Sequence, residues 1–347
     1  MEHASKHILV IRLSAMGDVA MTVPVIKALV RTYPDIKITV VSRGFLKPIF
    51  QNIPNVHFYT ADVKGKHKGL YGLFRLYKEL KKLNIDCIAD LHNVLRSKIL
   101  GVYFKFGGFK MAQIDKGRAE KKDLVKKEGK IFTQLKTTHE RYADVFAKLG
   151  YKLTLTKEDV LPKLKITKKV SLFIGKTKKK WIGIAPFAAF QGKTYPVEQM
   201  QTLLEKLSAT NTYKIILFGG PSEKKQLTEW ENSYDHVRSS AGLFSFEEEL
   251  ILISNLDVML SMDSGNAHLA AMFGKKVITI WGITHPYAGF YPFNQPSEYA
   301  LLADKEQYPL LPTSIYGNKF PEGYENVMQT ITPEAVFEKI EEVLETS

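Results

Sequence analysis

Asp263-Ser264-Gly265-Asn266-Ala267-His268-Leu269-Ala270-Ala271 stands where an apolar strand turns into a helix. The strand before it is Leu256-Asp257-Val258-Met259-Leu260-Ser261, and Met272 and Phe273 extend the helix. A second strand, Lys276-Val277-Ile278-Thr279-Ile280-Trp281, follows within a few residues, so the unit reads β-loop-α-β. A helix start presents unpaired N–H groups and the positive end of a dipole, which together suit an anion. Gly265 lets the backbone approach a ligand, Ser264 adds a hydroxyl, and His268 adds a charge or a donor. The same residues also fit a plain helix start, with Asp263 or Ser264 as the cap and His268 satisfied in the core.

Working outward, the same alternation recurs in two halves. Strands are expected at 7–13, 36–42, 55–60, 85–90 and 109–114, with helices at about 19–33, 73–83, 95–104 and 138–149. A basic loop, 115–137, and a poorly patterned connection, 150–178, interrupt the pattern. The second half has strands at 181–186, 213–219, 235–239, 256–261 and 276–281, and helices near 196–208, 222–232, 245–255 and 266–273. The tail, 332–346, is an amphipathic helix with Thr332 as N-cap and Pro333 in its first turn. Strands that are apolar almost throughout are covered on both faces. The fold class is therefore α/β, with two doubly wound, Rossmann-like parallel sheets facing a cleft.

Bulk properties agree with a two-domain enzyme. A chain of 347 residues exceeds one ordinary core, and 45% hydrophobic with 24% charged residues marks a globular protein. The single Cys87 lies in an apolar run and reads as a buried, inert thiol. No apolar run reaches the roughly 18 residues of a membrane span, and the first strand begins too early to leave room for a signal peptide. The net charge of +13 is concentrated in 64–82, 116–130 and 163–180. A solvated face, a nucleic-acid surface and a surface for an anionic lipid or glycan compete as explanations. No helix-turn-helix, zinc-finger or RNP signature accompanies the lysines, so nucleic acid ranks last.

The first strand ends in Leu13-Ser14-Ala15-Met16-Gly17-Asp18. It lacks GxGxxG and a Walker lysine, which argues against a nicotinamide or P-loop site. Asp18 is a carboxylate at the carboxyl end of the first strand, where open α/β sheets bind ligands; a helix cap is the competing role. The nine histidines form no HxH or HExxH pair near these segments, and no DxD pair is present there, so no metal is expected.

Ser14–Asp18 together with Asp263-Ser264-Gly265, His268 and Leu269-Ala270-Ala271 resembles the pattern of glycosyltransferase family 9, the ADP-heptose:lipopolysaccharide heptosyltransferases. The likeness extends through Asp90-Leu91-His92-Asn93-Val94-Leu95-Arg96-Ser97, Asp115-Lys116-Gly117-Arg118 and His139-Glu140-Arg141-Tyr142. It continues in Lys193-Thr194-Tyr195-Pro196 and Phe218-Gly219-Gly220-Pro221-Ser222-Glu223. The resemblance implies a GT-B architecture. An acceptor-binding domain spans 1–165, a nucleotide-sugar domain spans 166–330, and a helix, 331–347, packs back on the first domain. It implies inverting, metal-independent transfer with Asp18 as the base, and a donor site of Lys193, Glu223, Asp263, Ser264, Gly265, Asn266 and His268. Ser14, Met16, Gly17, Arg96, Lys116 and Arg118 would meet the acceptor. The donor would be ADP-heptose, used as substrate and with no cofactor, and the acceptor a lipid-linked anionic glycan. The protein is then expected to be a cytoplasmic monomer, peripheral on the inner membrane, without nucleic-acid partners. The chain departs from the family before Lys193, where Phe187-Ala188-Ala189-Phe190-Gln191-Gly192 replaces the usual Thr or Ser, and at Tyr195, where Trp is usual. A nucleotide-sugar epimerase on the same fold and a non-catalytic sugar-nucleotide or glycan binder remain as alternatives.

Overall fold

The computed structural model describes residues 6–345. The first five residues, on which the expectation about a leader bears, and the last two of the expected C-terminal helix segment lie outside the described residues. The chain divides into two compact units, Met1–Lys116 with Thr138–Leu161, and Gly117–Thr137 with Pro162–Ser347.

The first unit runs β1 (His7–Ile11), α1 (Met16–Ala20), α2 (Thr22–Thr32), β2 (Lys37–Ser42), β3 (Val56–Thr60), α3 (Gly69–Lys81), β4 (Cys87–Asp90), α4 (Leu95–Phe106) and β5 (Lys110–Gln113). The chain then forms α5 (Arg118–Leu124), part of the second unit, and returns with α6 (Thr138–Leu149). The five strands are parallel in the order β3-β2-β1-β4-β5. Every residue of β1 is buried, because helices cover both faces. Leu9 and Ile11 pack with Leu73, Leu76 and Leu80 of α3 and Leu100 and Phe104 of α4. Cys87 is buried, and burial pushes its thiol up to about 11, which leaves it inert as expected.

The second unit continues with α7 (Lys168–Ile174), β6 (Lys180–Ala185), α8 (Val197–Ala209), β7 (Tyr213–Leu217), α9 (Lys224–Ser233), β8 (Val237–Ser239) and α10 (Phe246–Ser254). It ends with β9 (Val258–Met262), α11 (Gly265–Ala271), β10 (Lys276–Trp281), β11 (Ala300–Leu302) and α12 (Pro333–Glu345). Its six parallel strands follow the order β11-β10-β9-β6-β7-β8. In each sheet one strand pair marks where the winding reverses: β1 with β4, and β6 with β9. Ligands of such sheets bind outside the carboxyl ends of that pair.

Three expectations are corrected here. The terminal helix does not belong to the first domain; α12 packs on α8, β9 and β10 of the second unit. Val336, Ile340, Val343 and Leu344 complete that core, and the ammonium groups of Lys180 and Lys276 reach the carbonyls of Leu344 and Val343, each at 2.6 Å. These cations satisfy carbonyls that a helix end leaves open. The basic segment after β5 is not a loop of the first domain either. It contains α5, and from Gly117 onward it packs in the second unit. Leu124, Phe132 and Leu135 cluster with Tyr287, Ala288 and Phe290, and Leu135 N–H donates to the Tyr287 carbonyl at 3.0 Å. Two of its cations are used internally: Lys130 donates to the carbonyls of Leu310 and Pro312, and Lys121 sits 3.9 Å from the Phe290 ring centroid. Finally, the expected helix over 19–33 is two helices, and the first begins early enough to place Asp18 inside α1. α7 and β11, seven and three residues long, are too short to show a period.

Candidate active site

Each switch point carries one of the carboxylates singled out in the sequence. In the first unit, β1 runs out through Arg12 and Leu13 into α1, and β4 into His92 and Asn93. Asp18 is about a third exposed, and its Oδ2 meets Arg12 Nη2 at 2.7 Å and accepts from the Ala15 N–H at 3.2 Å. Asp18 thus caps α1 and also presents a carboxylate at the switch point. Both contacts fall on Oδ2. Arg12 is buried; it donates from Nη1 to the Leu91 carbonyl at 2.7 Å and stands over the Tyr142 ring at 5.9 Å. Tyr142 donates in turn to the Asp18 carbonyl at 3.3 Å, so the α1 turn is tied to α6.

Asp90 has a structural task. Fully buried, it accepts from the N–H groups of His92 and Asn93 at 2.9 and 3.0 Å and from Gln113 Nε2 at 2.6 Å. Those bonds fold the β4–α4 turn, where Asn93 adopts a left-handed φ of 46°. Ser97 then closes the start of α4 through the Val94 N–H, at 3.0 Å. Arg96 is exposed on α4, Lys116 is half-buried at the end of the first unit, and Ser14 and Met16 are half-buried beside Asp18. Gly17 is buried in α1. Arg118 begins α5, on the second unit's side of the boundary between Lys116 and Gly117.

In the second unit, Asp263 follows β9 and Lys193 lies in the turn after β6. Lys193 Nζ and Asp263 Oδ2 are 2.8 Å apart, and Thr284 Oγ1 donates to the same oxygen at 3.0 Å. Glycines permit this approach. A Cβ on Gly282 would come 2.7 Å from the Gly192 carbonyl oxygen, and one on Gly317 would come 2.2 Å from Lys193 Cδ. The Ile283 N–H accordingly donates to the Gly192 carbonyl at 3.2 Å. Neither candidate cap is used on α11: Asp263 serves the ion pair, and Ser264 Oγ lies 3.0 Å from Ser261 Oγ. Gly265 and Asn266 are half-buried at the helix start, and His268 is buried one turn in.

Glu223 turns back on its own loop and accepts from the Gly220 N–H, at the entry to α9. Two residues of the departing stretches before α8 have identifiable partners. Phe187 stacks on Trp230 with ring centroids 5.8 Å apart, and buried Tyr195 donates to the Ile331 carbonyl at 2.6 Å.

Sequence reasoning missed a cavity of about 400 Å³ beyond β10 and β11, within the second unit. Phe132, Trp281, Tyr287 and Tyr291 give it aromatic walls, with His285 and Lys305 among its polar members. Thr284 joins its lining to Asp263. Tyr287 N–H donates to His285 Nδ1 at 3.1 Å, which leaves the ring proton on Nε2 while the ring is neutral. Arg12, a lone cation closing an apolar strand, was the one missed residue with a visible signal; Thr284 had none.

Burial pushes the His92 imidazole down to about 3, aided by Arg12 and Lys116. Burial likewise takes His285 to about 4, aided by Lys305 and Lys130. Unfolding returns both to the ordinary value near 6.5, so the unfolded chain binds more protons below that pH. Their contribution is complete above about pH 6.5 and is lost as pH falls toward about 4 and then 3. Urea unfolding should show a midpoint that drops on acidification through this range. The drop should be shallower in His92→Gln and His285→Gln, and an unchanged slope in both variants would place the acid sensitivity elsewhere.

The model of Glycosyltransferase family 9 (heptosyltransferase) matches residues 73–311. The chain belongs to glycosyltransferase family 9. It is a glycosyltransferase by that membership, and the expected family is the one found. Among curated relatives, the lipopolysaccharide core heptosyltransferase OpsX of Haemophilus influenzae is 24% identical over 82% of this chain and 81% of its own. Lipooligosaccharide heptosyltransferase 2 of the same organism is 26% identical over 97% and 99%. The Escherichia coli heptosyltransferase WaaC, solved with ADP-2-deoxy-2-fluoro heptose, shares the fold with a TM-score of 0.67 at 20% identity, covering 97% of this chain and 99% of that one. The GT-B fold class expected from the sequence is thereby established.

Proposed function

We propose that this glycosyltransferase moves a heptose from ADP-heptose to a lipid-linked acceptor of the lipopolysaccharide core, with inversion and without a metal ion. The observation that carries the reading is the placement of Asp18 and Asp263 at the switch points of their sheets, each with a cation against one oxygen. Heptosyl transfer from ADP-heptose fits the named relatives and the donor analogue bound by WaaC.

In this mechanism an acceptor hydroxyl attacks the sugar C1 from the face opposite the leaving group. The C1–O bond to the diphosphate breaks, and the hydroxyl proton passes to Asp18. Arg12 fixes Oδ2, which leaves Oδ1 for the proton. The departing ADP gains charge, which Lys193 and the backbone N–H groups of Ser264 to Asn266 offset. Asp263 orients Lys193 and meets the sugar hydroxyls, His268 stands near the phosphates, and Glu223 reaches the ribose by exchanging its loop contact. Ser14, Met16, Gly17, Arg96, Lys116 and Arg118 face the acceptor. The protein works in the cytoplasm, at the inner-membrane surface.

The direct test is ADP release from ADP-heptose in the presence of a lipid A–sugar acceptor, against UDP- and GDP-sugars as controls. ADP release that requires acceptor supports the reading, whereas epimerised donor or tight binding without turnover overturns it. Activity should also persist in excess EDTA. Complete loss that magnesium restores would show that a cation, and not Lys193, neutralises the diphosphate.

A further inference from the structure

Beyond the site, α3 and α4 of the first unit expose an unusual set of side chains. Leu70, Tyr71 and Phe74 of α3 are 63%, 83% and 36% exposed, and Leu95, Val102 and Phe106 of α4 are 74%, 47% and 90% exposed. These are not scattered. Tyr103 of α4 donates to the Leu70 carbonyl at 3.3 Å, and its ring meets that of Phe74 at 5.3 Å, so the two helices share one apolar surface. A contiguous apolar face of this kind marks an interaction site.

The charge on the same helices has one sign. Arg75, Lys78, Lys81, Arg96, Lys98 and Lys105 stand against a single acid, Glu79. Glu79 is itself engaged, accepting from Tyr59 and lying 3.0 Å from His67 and 3.3 Å from Lys66. Beside Val102 a shallow pocket of about 180 Å³ is flanked by Lys98 and Lys105 and floored by Gly101 and Met111. A Cβ on Gly101 would lie 2.6 Å from Met111 Cε, so the glycine makes room for that floor. Two ammonium groups around a small concavity, next to protruding aromatic and aliphatic side chains, match an anionic headgroup whose acyl chains lie alongside.

We propose that the α3–α4 face docks on an anionic phospholipid bilayer, with Tyr71 and Phe106 entering the interface and Lys98 and Lys105 holding a headgroup phosphate. This rests on the reading of the acceptor as lipid-linked. Apolar insertion and charge attraction act together in such binding, so loss of either weakens it. α4 starts two residues beyond Asn93, which brings the Leu95 end of this face beside the switch point that carries Asp18.

The test uses the full chain with vesicles of phosphatidylcholine alone or mixed with phosphatidylglycerol. Wild-type protein should co-sediment with the mixed vesicles only, and less at high salt. Phe106→Ser with Tyr71→Ser, and separately Lys98→Glu with Lys105→Glu, should each weaken that partitioning by about tenfold or more. All four side chains are on the surface, so both variants should unfold at the wild-type midpoint and transfer sugar normally to a deacylated, water-soluble acceptor. Equal binding to both vesicle types, or variants that bind like wild type, overturns the docking face. A wild-type dimer in solution that these variants abolish makes it an interface between copies and also overturns it. Vesicle binding as expected without sugar transfer to any acceptor would instead sink the proposed activity and leave the docking face standing.

Discussion

Asp18→Asn is expected to lower turnover by about two to four decades while donor affinity stays near wild type, the usual cost of removing a general base. The amide keeps the size of the carboxylate and can still accept from the Ala15 N–H, so the α1 turn survives. It cannot take a proton. Arg12 loses the charge it meets at 2.7 Å, but its bond to the Leu91 carbonyl and its place over Tyr142 remain. Single-turnover kinetics with saturating ADP-heptose, alongside calorimetric donor binding, separates the two effects. Near-normal turnover would reduce Asp18 to a cap for α1. A fall in donor affinity equal to the fall in rate would make it a binding residue.

Lys193→Met is expected to harm both stability and catalysis. It leaves the Asp263 carboxylate, 8% exposed, with Thr284 as its remaining side-chain partner. Breaking a buried pair from one side typically costs about 3–5 kcal/mol, because the surviving charge stays desolvated. Loss of a cation at a leaving diphosphate should also cost about 10²–10³ in kcat, by analogy with loss of one oxyanion donor. The double variant Lys193→Met/Asp263→Asn separates these roles. It should regain most of the stability, since no lone buried charge remains, and none of the turnover. If turnover returned with stability, Lys193 would act by shaping the turn after β6 and not on the diphosphate.

Much of this was legible along the chain because strand and helix patterns are local. The apolar runs of β1, β4, β6, β9 and β10 identify buried parallel strands, since covering both faces of a sheet removes the alternation seen in one-sided sheets. Asp18 and Asp263 could be chosen because strand ends followed by small residues are where such sheets bind. The short elements escaped. β11 has three residues, and α5 and α7 seven each, too few for a period to show.

The sequence by itself determined the α/β class, the alternation in two halves and the carboxylates at the strand ends, all fixed by residues adjacent in the chain. Only the tertiary structure decided what each of those groups touches. The pairing of Lys193 with Asp263 spans seventy residues and depends on Gly192, Gly282 and Gly317 leaving room for the approach. The cation on Asp18, the turn held by Asp90 and the place of α12 in the second unit are likewise set by packing between distant segments. So is the use of Lys130 and Lys121 to hold the segment after β5, because a lysine carries the same charge in the sequence whether it meets water, a carbonyl or a ring.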